Sequence, residues 1–393
     1  MDSFLRWAKD SGILASAVKV VKTPNAGYGL FATRNINPDE VVLHIPRDML
    51  ITASRVLQYP HMKAFHGNSD RVIICIFLAH ERFIASNSVW KPYMDCLPSD
   101  ESYRRDHTLY NAQWVAGTSL AAAISAKLTK LKREHASLQL DWLTLDMWIW
   151  ADVTFWSRVV ELGNNELTLV PFFDFANHSL SPNIRWEQGI GVDLLPFGEA
   201  IAANTELTLS YGAKSNQELL FLHGFCIPHN PQSSVLTLPV QPFLDEPEKF
   251  AWLSQAGSLV LKLGRSGWAN DTFRTMYLAA LDEDDGLRWE GDQLYLGLKR
   301  ISSPEALMEN VIALDHYQVI ELRVILLLLE AVQYHYQELA KAPTMQDGAI
   351  KEYIDLYKQE EKTILEHAIE ELEDKRNKLL EHNVVINYLS NAS

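Results

Sequence analysis

Apolar and polar positions change period several times along this chain, and the changes divide it. Residues 2–16 place Phe4, Leu5, Trp7 and Ala8 on one side of a short helix. Val18 to Lys22 alternates as a strand does, and Glu40 to Pro46 reads as another. Residues 53–168 carry helical spacing. Within them Arg71 to Ala85 is rich in Ile, Leu, Phe and Ala, and Asp146 to Val160 places Trp148, Trp150, Phe155 and Trp156 as core positions. Asn111 to His135 is Ala-rich and turns basic at Lys127, Lys130, Lys132 and Arg133, where cations favour the end of a helix dipole. Pro171 to Phe175 is an apolar run broken by Asp174 and closed by Asn177-His178-Ser179, which predicts a buried strand entering a loop. Ile184 to Trp186 and Val192 to Leu194, set off by glycines, predict a hairpin within residues 181–205. Leu207, Leu209 and Tyr211 alternate against Thr208 and Ser210, a half-buried strand that Gly212 stops.

Beyond about residue 230 the pattern shifts again. Pro228, Pro231, Pro239, Pro242 and Pro247 cluster as in a linker. Phe250 to Leu263, Pro304 to Lys341 and Ile350 to Leu380 then read as helices. Ile354, Tyr357, Leu365, Ala368 and Leu372 share one stripe of the last, spanning too few clean heptads for a coiled coil. Asp282 to Asp285 reads as a solvated acidic loop.

At 393 residues the chain has room for two domains and a large core. Its 47% hydrophobic and 22% charged residues are those of a globular protein. A net charge of −15 argues against a general nucleic-acid-binding face. It suits a basic, lysine-containing protein partner, and equally a protein kept soluble by its charge. Three cysteines, Cys75, Cys96 and Cys226, form no Cys-x-x-Cys pair, so neither zinc nor a disulfide framework is expected. The N-terminus lacks a signal-peptide apolar stretch, and the apolar run Val324 to Leu329 is too short to cross a bilayer. No membrane partner is expected, and the location expected is cytoplasmic, nuclear or both.

The predicted strands deliver Asp174, Asn177, His178 and Tyr211 from apolar surroundings, which marks a site. Ala26-Gly27-Tyr28-Gly29-Leu30-Phe31-Ala32 nominally matches a dinucleotide-binding fingerprint, but the turn-like stretch Thr33 to Pro38 follows it where a helix is required. Asn177-His178 followed by Glu206-Leu-x-Leu-Ser-Tyr211-Gly resembles the two C-terminal motifs of the SET domain, a protein methyltransferase fold that uses S-adenosylmethionine. The longer wording, Asp174-x-x-Asn-His-Ser and Tyr211-Gly-x-x-Ser-Asn-x-Glu-Leu-Leu, is similar to the branch containing Rubisco large-subunit methyltransferase and its fungal and animal relatives.

That resemblance implies an α+β fold. A helix at 1–17 precedes a SET domain of small sheets with a pseudoknot at 18–225. This domain carries a helical insertion at about 53–168, and an all-α substrate-binding domain follows at 230–393. It implies cofactor contacts from Ala26, Gly27, Tyr28 and Gly29, from Arg158 beside a carboxylate, from Asn177 and His178 at the adenine, and from Tyr211. His223 stands where the family often has a stacking aromatic, so either His223 or Phe225 serves the adenine. Tyr211 would be catalytic, its hydroxyl at the transfer centre, with Asp174, Arg158 and Tyr211 near the substrate. Asp174 could equally satisfy buried main-chain donors. Many SET enzymes close the lysine channel with a zinc-bound cysteine segment, which this chain lacks; the helices after 230 would take its place, and no metal is expected.

The expected function is therefore protein-lysine N-methylation with S-adenosylmethionine, on a substrate such as a ribosomal protein or translation factor. One rival is histidine methylation on the same fold, although Val159 and Val160 after Arg158 offer an imidazole no polar partner. Another is an inactive SET-like binding module, which Tyr211, Arg158 and Asn177-His178 argue against. A serine hydrolase lacks its Gly-x-Ser-x-Gly elbow. Oligomeric state and degree of methylation are left open.

Overall fold

The computed structural model describes the chain except residues 24–25, 257–258, 346–347, 349 and 393. Helix α1 (Asp2–Asp10) is shorter than the pattern predicts, because Gly12 turns the chain at φ 84° and Leu14–Ala15 leaves as strand β1. Strands β2 (Val18–Thr23) and β3 (Gly27–Ala32) pair antiparallel, with Val18 opposite Ala32 and Thr23 opposite Gly27. The glycine-rich stretch is thus itself a strand. Strands β4 (Leu43–Pro46) and β5 (Ile51–Thr52) follow.

The insertion is helical up to Arg158, through α2 (Ala53–Val56), α3 (Asp70–Phe83), α4 (Lys91–Met94), α5 (Asp100–Asp106), α6 (Ser119–Leu138) and α7 (Leu145–Arg158). Past Arg158 it corrects the predicted span: β6 (Val160–Leu162) and β7 (Glu166–Leu169) form a small sheet with β5. Buried charge ties three of these helices together. Asp152, 1% exposed, accepts from Arg71 Nη1 at 2.5 Å and pairs with Lys127 Nζ at 2.7 Å. Lys127 is therefore structural, but through this ion pair in mid-helix and not through the helix-end dipole the sequence suggests.

Pro171 to Phe175 is not the predicted strand. Phe173–Phe175 forms a 3₁₀ turn entered through Phe172 at φ 77°, and only β8 (Asn177–His178) is extended. An apolar run shows burial, and a buried tight turn satisfies it as well as a strand does. The left-handed Phe172 costs on the order of 1–3 kcal/mol. Its ring packs on Phe4 at 5.3 Å and Phe175 at 6.3 Å, which offsets that cost. Strands β9 (Ile184–Gln188) and β10 (Gly191–Pro196) form the predicted hairpin, and β10 also pairs with β4. Strand β11 (Glu206–Leu209) lies between β3, antiparallel, and β8, parallel with Thr208 opposite Asn177. Helix α8 (Asn216–His223) starts with a Ser215/Glu218 capping box and stops at Gly224, φ 79°.

The remainder is mainly helical but not all-α. Strand β12 (Leu236–Pro239), helix α9 (Pro247–Gln255), and strands β13 (Val260–Gly264) and β14 (Gly267–Trp268) precede α10 (Asn270–Ala280). Strands β15 (Leu287–Glu290), β16 (Gln293–Leu296) and β17 (Lys299–Ile301) form a further three-stranded sheet. The predicted helix Phe250 to Leu263 thus ends at Gln255, and Pro304 to Lys341 divides into α11 (Pro304–Ile312) and α12 (Tyr317–Lys341). The chain closes with α13 (Lys351–Leu380) and α14 (Asn383–Ala392). The proline-rich stretch is no loose linker, because Asn230 is 1% exposed and donates to the Lys214 carbonyl. Asp285 of the acidic loop is buried, held by Arg323 at 2.7 Å and His316 at 3.0 Å. Among the described residues no helix is long and apolar enough to cross a membrane.

The apolar interior divides into two large clusters, and α13 enters both. Ile350, at its N-cap, with Ile354 and Tyr357 packs into the first; Ile364, Leu365, Ala368 and Leu372 pack into the second. Between the two stripes sits Glu361, 1% exposed. Its carboxylate accepts from the Ser119 N–H at 3.1 Å and from the hydroxyls of Ser119 and Tyr357. It thereby binds the first residue of α6 to α13.

Burial raises the Glu361 pKa above its ordinary 4.5, although its hydrogen bonds oppose this. The folded state therefore holds that proton more tightly than the unfolded chain. The resulting stability is complete below the unfolded pKa and is lost as pH rises through the folded one. Glu361→Gln keeps a neutral side chain of the same shape, so its stability relative to wild type should improve between about pH 4 and pH 7. Thermal melts at both pH values check this; an unchanged difference would show that Glu361 does not titrate in that range. Glu361→Ala should cost about 1–3 kcal/mol, because the buried Ser119 N–H loses its acceptor.

Candidate active site

Helix α7 delivers the first site residue at its last position. Arg158 Nη1 donates to Asp174 Oδ2 at 2.8 Å and to the Asp174 carbonyl at 3.1 Å. The Tyr93 hydroxyl donates to the same Oδ2 at 2.7 Å. The Asp174 side chain is 1% exposed and that of Arg158 15%. Burial opposes the guanidinium charge, and Asp174 more than offsets this, leaving the arginine pKa above its ordinary value. Burial, reinforced by Asp174, likewise keeps the Tyr93 hydroxyl protonated. Asp174 therefore holds two side chains and not the main-chain donors that were its alternative role. Arg158 Nε and Asp174 Oδ1 are buried without a hydrogen-bond partner among the described residues.

Strand β3 approaches from the other side. Gly27 adopts φ 72°, a conformation that a side chain disfavours. Gly29 is needed for space: a Cβ there would lie 2.8 Å from Glu206 Oε1 and 3.1 Å from Asn177 Nδ2. Those two groups bond each other, Asn177 Nδ2 donating to Glu206 Oε1 at 2.7 Å. Tyr28 packs edge-on against Phe175 at 5.7 Å. Ala26 is exposed in the preceding turn, its N–H donating to Thr23 Oγ1 at 3.3 Å.

The parallel β8–β11 pairing sets His178 beside Tyr211. The Tyr211 N–H donates to His178 Nδ1 at 3.0 Å, and its hydroxyl donates to the Ala176 carbonyl at 2.9 Å. Burial pushes the Tyr211 phenol up to about 12, so it stays protonated at neutral pH and is no base. Burial lowers the pKa of His178 and brings His223 down to about 3, so both rings are neutral at pH 7. His178, Tyr211, His223 and Phe225 form one aromatic group, with Tyr211–His223 centroids at 4.9 Å and His178–Phe225 at 6.2 Å. His223 and Phe225, alternatives on sequence grounds, are both present in it.

The structure thus gathers Gly29, Arg158, Asp174, Asn177, His178, Tyr211 and Phe225 around one junction, with Tyr28 packed on Phe175 beside it, whereas Ala26 in the turn before and Gly27 at the start of β3 are exposed and touch none of these side chains. Three partners were not read from the sequence. Tyr93 lies in the Trp90–Pro98 stretch, whose Trp/Pro/Tyr/Leu-Pro pattern resembles the family's insertion but names no site residue. Glu206 opens the second motif, where alternation alone treats it as a strand start. Tyr353 comes from α13, and its ring lies 6.5 Å from Phe225, a contact no local pattern encodes.

The SET domain family model matches residues 27–212. The chain is 28% identical over 275 residues to the ribosomal lysine N-methyltransferase set10 of Schizosaccharomyces pombe, covering 63% of this chain and 50% of that protein. It is 25% identical over 279 residues to the Rubisco large subunit N-methyltransferase of Pisum sativum, covering 63% and 56%. It is also 24% identical over 266 residues to the human actin-histidine N-methyltransferase, covering 59% and 43%. The chain thus spans about half the length of the curated relatives it matches. The solved SET domain of LSMT bound to methyllysine and AdoHcy superimposes with a TM-score of 0.77 at 21% identity, over 96% of this chain and 92% of that one. Rubisco LSMT bound to AdoMet gives 0.76 at 20% identity, with the same coverage. These likenesses show a SET-domain fold with a C-terminal helical region.

Asp174→Ala should leave the Arg158 guanidinium buried and unpaired, at a cost of about 3–5 kcal/mol. Tyr93→Phe removes one neutral donor and should cost about 1 kcal/mol. Urea denaturation midpoints check both; equal midpoints would mean that the Arg158–Asp174 pair is not a buried anchor.

Proposed function

We propose that the protein is an S-adenosylmethionine-dependent protein-lysine N-methyltransferase acting on a basic protein such as a ribosomal protein or translation factor. The observation that carries this reading is the junction itself: a SET-domain fold in which Gly29, Arg158, Asn177-His178 and Tyr211 meet. Relatives named as lysine methyltransferases of ribosomal protein, aldolase and Rubisco support it. The acidic balance of the chain suits a basic substrate. Three buried free thiols suit a cytoplasmic or nuclear setting.

The residues present fit the cofactor. Arg158 spends Nη1 on Asp174, which leaves the Nε–Nη2 edge, and Nε is buried without a partner among the described residues. That edge is a side-on fork suited to a carboxylate. Gly29 keeps side-chain bulk away from Asn177 and Glu206, so main chain is free to approach a ligand there. Neutral His178 and His223, with Phe225, offer flat, uncharged surface to an adenine.

The cofactor supplies a methyl group already activated on sulfur. With the cofactor held by Gly29, Arg158, His178 and Phe225, a neutral lysine amine would take the methyl group, S-adenosylhomocysteine would leave, and the amine's proton would pass to solvent. The chain's task is to hold a neutral amine in line, and alignment of this kind contributes several kcal/mol or more. Tyr211 stays a phenol, its proton committed to the Ala176 carbonyl, so its oxygen lone pairs remain to orient the amine. An apolar setting helps the lysine shed its proton, because burial lowers its pKa. The chemistry requires no metal.

Histidine methylation is the second reading, supported by the actin-histidine relatives. Val159 and Val160 beside Arg158 favour lysine, since they offer an imidazole no polar partner.

S-adenosylmethionine should bind in calorimetry and raise the melting temperature. No heat at near-millimolar cofactor would end the enzyme reading. Labelled methyl transfer into extract from a deletion strain, mapped by mass spectrometry, should mark lysine; a marked histidine would establish the second reading. Tyr211→Phe should lower kcat by about 100-fold or more while cofactor affinity changes by less than about threefold. Asn177→Ala should mainly weaken cofactor binding. Unchanged turnover per folded molecule in Tyr211→Phe would make Tyr211 a packing residue only.

A further inference from the structure

The helical insertion holds a donor set that the proposed reaction does not use. His61, in the turn at Pro60–Phe65, and His80 and Glu81, on α3, each place one ligand atom within 4.8 Å of the others. Among the described residues no other group of three or more His, Cys, Asp or Glu is so placed. The turn is seated by Tyr59, which stacks on Phe77 at 5.7 Å and accepts from Trp90 Nε1 at 3.2 Å. His61 is thereby laid over His80, ring on ring, with centroids 4.2 Å apart.

The arrangement leaves Glu81 under-compensated. Its side chain is 5% exposed, and among the described residues it forms no ion pair with lysine or arginine. Oε2 accepts from Ser88 Oγ at 2.5 Å. Oε1 faces the two imidazoles at longer range, 3.4 Å from His80 Nδ1 and 3.7 Å from His61 Nε2. Buried carboxylates are normally paired or bound to metal. Protonating both rings would supply the charge but would set two cations face to face. A small cation among the three atoms would use both nitrogen lone pairs and neutralise the carboxylate.

We propose that His61, His80 and Glu81 bind one divalent transition-metal ion of the zinc type, which fastens the 60–65 turn to α3. Two imidazole nitrogens and one carboxylate oxygen are a zinc donor set, whereas calcium and magnesium take oxygen ligands. Zinc–nitrogen and zinc–carboxylate bonds run about 2.0–2.2 Å, so the two nitrogens must draw together and the stacked rings turn their edges toward the ion. The His61 side chain is 37% exposed, so water reaches the remaining coordination position. Ser88 orients the carboxylate from behind, the usual part of an outer hydrogen-bond donor at such sites.

The test uses the full chain, freed of metal by chelation and dialysis. Zinc is titrated against a chromophoric chelator, and cobalt(II) is added separately to read the visible spectrum. One equivalent should bind with micromolar or tighter affinity, cobalt should give ligand-field bands, and zinc should raise the melting temperature. His61→Ala, at a partly exposed position, should fold and lose at least about tenfold in affinity, and Ser88→Ala should lose about tenfold through the outer donor. His66→Ala, in the next turn, should bind as wild type does. Circular dichroism confirms folding of each variant, so a loss of binding cannot be a loss of fold. Absence of stoichiometric uptake, or equal uptake by wild type and His61→Ala, overturns the proposal.

Discussion

The buried pair between Arg158 and Asp174 is the contact on which the geometry of the junction depends. Burying two charges is expensive unless each is matched. Asp174 meets that condition by taking Arg158 Nη1 and the Tyr93 hydroxyl together. The pair joins the last residue of α7 to the 3₁₀ turn that leads into β8. With that turn held, Asn177 and His178 can extend alongside β11, and β11 ends where Tyr211 can bond His178 and the Ala176 carbonyl. A shift in the pair would displace the Asn177-His178 segment and, through it, Tyr211. Strain follows the same path, since the one left-handed phenylalanine, Phe172, stands directly before Asp174's turn.

The second constraint is α13. A single helix contributes apolar residues to both cores, so the C-terminal region cannot move as a free body about a flexible joint. Glu361 fixes its position from within, spending a buried carboxylate on the start of α6. The same helix brings Tyr353 to Phe225, at the rim of the aromatic group. The N-terminal fold and the C-terminal helices therefore share a wall of the candidate site, and the Pro228–Pro247 stretch between them is hydrogen-bonded in place.

Local signals in this chain carried the parts of the fold whose cause is local. Alternation in Glu206 to Leu209, glycines around residues 189–198, the apolar richness of α3 and the stripe of α13 were legible because neighbours in sequence decide them; Asn177-His178 and Tyr211 stood out through their resemblance to SET motifs. Where burial was complete, periodicity lost its meaning. Pro171 to Phe175 read as a strand and is a tight turn. Leu236, Leu261 and Leu287 sit in small sheets within a region that reads as helical, because short apolar runs fit either element when both faces are covered.

What the sequence by itself determined is a set of chemistries and their order: a glycine strand, an arginine, an Asn-His pair and a tyrosine. Only the tertiary structure decided how each is used. Asp174 became the partner of Arg158 and Tyr93, and Glu206 the partner of Asn177. Asp285, which read as part of a solvated acidic loop, became a buried ion-pair partner. The reason is physical. A side chain's role at a site depends on which groups share its desolvated space, and those groups come from far along the chain. Tyr93 and Asp174 stand 81 residues apart and Tyr353 meets Phe225 from α13, so no window of sequence contains the contact.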